Sequence, residues 1–246
     1  MDWNVIFPYM IRIIPAVAVI GLLILLLPKK TMEFRITAYI LLFLVIRDAM
    51  TPAGLWRFGM EGFFWLRFSE NGGALLVLGA LSAGLAVTIL LLDSQARSLI
   101  VWWKGARIPA IVSGIAGAFI VFLPFVLLYA GMDLQSRGGM VATSLIAPIA
   151  VMAFAGNFLE ETLFRGFFQG FMETHTGPVR AALASGAMFA AGHVFLAVTL
   201  TNIGWPILVF TLYEGTVAAL VRMRFGLAAA TLTHGGAIFL LASGIY

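Results

Sequence analysis

The sequence predicts an all-α polytopic membrane protein, a bundle of about eight transmembrane helices forming a single integral-membrane domain over 1–246. Three observations predict it. Hydrophobic residues make up 62% of the chain and charged residues only 11%, against about 25% charged in soluble proteins; such a composition cannot cover a water-exposed surface. The apolar residues gather in runs near the ~20 residues a helix needs to cross a bilayer. Small residues recur in the later runs, at Gly156, Gly186, Gly192, Gly215, Gly235 and Gly236, where they let membrane helices approach closely.

The runs fall at about 8–27, 34–50, 72–92, 108–130, 140–170, 179–199, 203–222 and 227–245. The first follows Met1-Asp2-Trp3, lacks a basic start and a small-residue cleavage site, and reads as a retained span. The second has the shortest apolar core, Ile36 to Ile46, and Arg47-Asp48 are expected near the interface. Between Asp48 and Gly73, Trp56, Phe58, Phe63, Phe64, Trp65 and Phe68 crowd a polar-leaning stretch. Two readings of it stay open: an interfacial amphipathic helix, or aromatic packing around a loop. Trp102-Trp103 beside Lys104 reads as an interfacial anchor. The fifth run exceeds one span, so its turns from Arg165 onward are expected to leave the hydrocarbon or tilt. Pro28, Pro109 and Pro178 lie at run edges, where proline suits a helix end or first turn. Pro124 and Pro148 lie inside runs and are expected to kink them.

The net charge of +4 suits a bilayer whose anionic lipid faces basic loops. No basic cluster alternates with aromatics as a nucleic-acid surface would require. With no cysteine, thiolate nucleophiles and zinc–thiolate sites are excluded. Sorting the fifteen Lys and Arg by connection puts ten on one side, Lys29 and Lys30 among them, and five on the other. The positive-inside rule then places both termini outside, and a prokaryotic plasma membrane is the expected location.

Chemistry concentrates in Asn157-Phe158-Leu159-Glu160-Glu161-Thr162-Leu163-Phe164-Arg165. Ionisable residues in a membrane segment are costly and mark function by default. The adjacent glutamates point about 100° apart on a helix, so they cannot do the same job. Arg165, four residues after Glu161, shares its face and assigns Glu161 a structural pairing. Asn157 shares the face of Glu160. Glu160 has no cation nearby in sequence and is the acid expected to take a proton from water. His193 and His234 sit beside small residues in later runs, and antiparallel helices can bring Glu160 and His193 to one level. Glu214 is a further acid in the seventh run, whereas His175 lies in a polar turn.

One carboxylate, two imidazoles and an enclosed water can hydrolyse an amide: Glu160 activates the water, His193 orients it, and His234 donates to the oxyanion. Two alternatives remain. Glu160, His193 and His234 form a permissible zinc set, although no His-Glu-x-x-His motif supports it. A buried Glu–Arg–His cluster also suits a non-catalytic scaffold, an immunity protein or a transporter.

The motifs resemble a family. Glu160-Glu161-Thr162-Leu163-Phe164-Arg165 is similar to the Glu-Glu-x-x-x-Arg motif of the CAAX-protease and bacteriocin-processing membrane proteins, glutamic-type intramembrane proteases that include Rce1-like members. Phe189-Ala190-Ala191-Gly192-His193 is similar to their Phe-x-x-x-His motif, and His234 to the start of their His-x-x-x-Asn/Asp motif. The resemblance spans about 140–245, the motif-bearing catalytic core. It implies a metal-independent endopeptidase in which Glu160 and His193 activate water and His234 serves the oxyanion site, with no cofactor. It implies a membrane-anchored protein or peptide as substrate, a prenylated one being one option, and the lipid bilayer as surroundings. One position departs from the pattern: Ile238 stands where the third motif has an amide or acid, and an isoleucine donates no hydrogen bond. Asn157 is the nearest substitute.

Overall fold

The computed structural model describes residues 3–28, 31–50, 54–59, 64–200 and 203–246. Met1, Asp2, Lys29, Lys30 and Phe63, used above, lie outside the described residues. The chain is mostly helical: α1 (Trp3–Leu26), α2 (Met32–Met50), a hairpin of β1 (Trp56–Gly59) and β2 (Trp65–Phe68), α3 (Gly72–Leu92), α4 (Ser94–Ser98), α5 (Arg107–Leu128), α6 (Ile146–Glu161), α7 (Gln169–Thr176), α8 (Pro178–Ala191), α9 (Trp205–Phe225) and α10 (Leu227–Ser243).

Among the described residues, six helical stretches are long and apolar enough to cross a membrane, and these six make it a helical membrane protein. They are α1, α3, α5, the α6–α7 stretch, α8 with its extension to Val198, and α9. The other two expected spans are helical but fall short of that standard. At 17 residues α10 is short, and α2 carries Glu33, Arg35, Arg47 and Asp48.

Two expectations, on Pro148 and on the stretch after α2, are corrected. The fifth run stays packed within the bundle past Arg165. A π-helical stretch, Thr162–Phe168, joins α6 to α7, and Arg165 is 0% exposed. Pro148 is not an interior residue, because α6 begins at Ile146 and proline fits a first turn; α5 continues through Pro124. The stretch after α2 contains an antiparallel hairpin rather than an interfacial helix, with Trp56 opposite Phe68 and Gly59 opposite Trp65. Its sequence alternates with the strand period: Trp56, Phe58, Phe64, Leu66 and Phe68 take one parity, Arg57 and Arg67 the other. Strand side chains alternate between faces, so one face of the hairpin is apolar.

The core is built on α10, which packs against α5, α6 and α9, while α3 packs on α6 and α8 on α9. Missing side chains set these approaches. A Cβ on Gly114 of α5 would lie 2.7 Å from the Ala229 carbonyl oxygen of α10, a backbone atom that cannot step aside. A Cβ on Gly215 of α9 would lie 2.8 Å from the Phe189 ring and 3.2 Å from the Arg165 guanidinium. Gly215 thus leaves room for a buried arginine.

Candidate active site

α6 presents three polar residues to the bundle interior: Asn157, Glu160 and Glu161, all buried. The adjacent glutamates diverge as helical geometry requires and meet different partners. Glu161 Oε1 accepts from Arg165 Nη1 at 2.7 Å and from His234 Nδ1 at 2.8 Å. Arg165 also donates to the Gly215 carbonyl at 2.9 Å, and its guanidinium lies 4.2 Å from the centre of the Phe189 ring. The expected Glu161–Arg165 pair is therefore formed, and it ties α6 to α9 and α10.

Glu160 faces the other way. Its Oε2 lies 3.7 Å from His193 Nε2, at the same level as expected from antiparallel helices. Among the described residues Oε2 has no hydrogen-bond partner. His193 lies just past the end of α8, and its Nδ1 is 2.7 Å from the Phe189 carbonyl. A carbonyl only accepts, so Nδ1 carries a proton, and in the neutral form of the ring Nε2 is an acceptor. The ring packs on Phe43 and Phe189.

Glu160 has no cation nearby in sequence, but the fold brings one from another helix. Arg47 of α2 forms an ion pair with Glu160 Oε1. Arg47, expected near the interface, is 8% exposed and lines the pocket of the site. Sequence spacing could not reveal the contact, because it joins residues more than a hundred positions apart. The one available signal was a charged residue closing an apolar helix.

Arg47 Nη2 also donates to Asn157 Oδ1 at 3.4 Å, while Asn157 Nδ2 has no acceptor among the described residues. Glu214 of α9 is brought to the same place, its Oε1 3.7 Å from His234 Nε2. His175 is exposed in the last turn of α7, away from the pocket, and contacts Thr174 and the Phe171 carbonyl.

One pocket collects Arg47, Asn157, Glu160, His193, Glu214 and His234. Its apolar wall includes Trp56, Phe58, Phe64, Leu66 and Phe68 from the hairpin, together with Ile238. The apolar face of the hairpin thus lines the site, a contribution the sequence reading missed. Position 238 does face the pocket, as a hydrocarbon surface.

No three or more His, Asp or Glu side chains among the described residues are grouped to hold a metal ion. The zinc set of Glu160, His193 and His234 is not assembled: His234 is turned to Glu161 and Glu214 instead.

Fold and site together define a helical membrane protein with a buried network of acids, imidazoles and guanidinium groups. Residues 142–240 match the family described as Type II CAAX prenyl endopeptidase Rce1-like. The match covers the candidate site residues of α6 to α10 and shows the motif resemblance over that segment; α2 and the hairpin lie outside it. No curated protein and no solved structure matches the chain.

Proposed function

We propose that the chain is a metal-independent, glutamate-dependent intramembrane endopeptidase that cuts a membrane-anchored protein or peptide. One observation carries this reading: an unpartnered carboxylate oxygen of Glu160 faces the bare nitrogen of His193 across 3.7 Å, beneath an apolar roof. Both atoms are acceptors, and a water molecule donates two hydrogen bonds. A substrate-side water held by both has its proton directed at Glu160.

Glu160 takes that proton as the water oxygen bonds to the scissile carbonyl carbon, and the carbonyl electrons move onto oxygen. The oxyanion is met by Asn157 Nδ2 and by His234, which donates from Nε2 as an imidazolium with Glu214 beside it. Glu160 then returns the proton to the leaving nitrogen as the C–N bond breaks, giving one carboxylic acid and one amine. Glu161 and Arg165 hold His234 in place. Asn157 supplies the polar donor that Ile238 cannot.

In this reading the short α10 and the charged α2 cross with the other six. Eight spans then put both termini outside a prokaryotic plasma membrane. Reporter fusions at the two ends check this: an inward terminus overturns the orientation, and one terminus on each side overturns the count.

The catalytic test is cleavage of a membrane peptide in liposomes. Glu160→Gln and His193→Ala are each expected to lower turnover by about a thousandfold; His193→Ala should melt near wild type, whereas Glu160→Gln should melt lower because it leaves buried Arg47 without its counter-charge. Chelators are expected to leave wild-type activity intact. Full turnover by Glu160→Gln overturns the mechanism, and loss on chelation with recovery on zinc moves it to a metalloprotease. The apolar Ile238 in the pocket favours one rival, a non-catalytic binder. Wild-type protein that binds peptide without cutting it would establish that rival.

A further inference from the structure

Arg47 belongs to none of the three motifs and lies outside residues 142–240, yet it touches two of the site's polar groups. A guanidinium only donates hydrogen bonds, which makes its contacts directional. Asn157 must turn its oxygen, not its nitrogen, toward Arg47. That leaves Asn157 Nδ2, a donor, facing the pocket. The same guanidinium engages Glu160 through Oε1, and the oxygen left facing His193 is Oε2.

Aromatic and ionic contacts hold Arg47 in this pose. Its guanidinium carbon lies 5.6 Å from the centre of the Phe43 ring and 5.0 Å from that of Trp56, within range of cation–π attraction. At the opposite end of α2, Arg35 is paired with Asp93 at 2.5 Å. The helix is thus tied at both ends.

We propose that Arg47 is a positioning residue for the hydrolysis. One guanidinium delivered by α2 selects the Glu160 oxygen that acts as base and turns the Asn157 amide toward the developing oxyanion. The inference rests on the hydrolytic reading above and extends the site beyond the family segment into the first part of the chain.

The test measures kcat and KM separately for the full-length protein in liposomes, with thermal melts. The series is wild type, Arg47→Met, Arg47→Lys, Asn157→Leu, Arg47→Met with Asn157→Leu, and Glu160→Gln. Arg47→Met is expected to lower kcat by about a hundredfold with KM changed less than about threefold, the pattern of a lost transition-state contribution. Arg47→Lys keeps charge and donors on a shorter stem, and should recover about tenfold of that loss. Asn157→Leu alone should cost about tenfold or more. The double variant should fall close to Arg47→Met alone, because the amide is already misdirected.

Wild-type kcat in Arg47→Met overturns the proposal. A rise in KM alone places Arg47 in substrate binding and also overturns it. Losses that simply multiply in the double variant sever the link to Asn157. If Arg47→Met does not fold, Arg47→Lys carries the test: a fall in kcat with a wild-type melt supports the role, and an unchanged kcat removes it. Glu160→Gln separates the two levels. Turnover in that variant defeats the hydrolytic reading itself, whereas an inactive Glu160→Gln beside a fully active Arg47→Met defeats only the role of Arg47.

Discussion

The helices of the motif-bearing segment and the α1–α2 pair are joined to the molecule by different physics. In the former, helices meet through small residues: Gly114 against Ala229, Gly186 against Thr216, Gly235 against Phe154. Half of the residues in the most apolar window of the α8 region are buried, against 11% in that of α1. α1 packs mainly on α2. In turn α2 is packed through Ile36, Tyr39, Ile40 and Phe43 and is also fastened by charges, Arg35 to Asp93 at its start and Arg47 to Glu160 near its end. Close packing is short-ranged and tolerates no added methyl group. Ion pairs are longer-ranged and switchable, and in an apolar setting they are strong only while both partners are present. The segment built by packing holds the candidate site, and the α1–α2 pair, fastened by ion pairs as well as packing, supplies one residue to it from outside.

Breaking an ion pair in each region tests that contrast. The largest effect is expected in the core. Glu161→Gln leaves Arg165 and His234 without their shared carboxylate, a buried charge without compensation. The expected cost is about 3–5 kcal/mol of stability, read as a fall in melting temperature and yield, with α6, α9 and α10 loosened together. A melt unchanged from wild type would show that packing alone holds the core.

A smaller, pH-dependent effect is expected where α2 docks. Burial alone would raise the carboxyl of Asp93, but the Ala96 amide, the Tyr39 hydroxyl and the Arg35 guanidinium outweigh it and hold the group below its ordinary range. A depressed carboxyl contributes stability that is complete above its unfolded pKa, about 3.9, and fades as pH falls through the folded value. Wild-type melts should therefore drop below about pH 4 by more than those of Asp93→Asn. Asparagine still caps α4, so the variant removes the charge while keeping the cap. Parallel acid profiles for the two proteins would show that the pair with Arg35 does not hold α2.

Much of the site could be read from spacing. Glu161 and Arg165 are four apart on one helix, so their pairing follows from local geometry, and the structure forms it. The partner of Glu161 beyond its own helix did not follow: nothing in the chain order says that His234 turns its Nδ1 to that carboxylate. The hairpin was missed because its aromatic density was read as amphipathicity, although alternate residues from Trp56 to Phe58 and from Phe64 to Phe68 carried the strand period. The contact of Arg47 with Glu160 was missed for a related reason. A charge near the end of an apolar run looks like an interfacial residue until a partner across the bundle is known.

Composition and periodicity by themselves determined that this chain is a helical membrane protein and roughly where its apolar helices run, and residue spacing put most of the candidate site residues in the last hundred residues. These properties depend on local preference and on the cost of polar groups in hydrocarbon, both legible along the chain. Only the tertiary structure decided that His234 turns to Glu161, that a hairpin from the first part of the chain roofs the pocket, and that Glu160 is held by Arg47. Such contacts join residues far apart in sequence, and their free energy exists only once the helices have packed and excluded other partners.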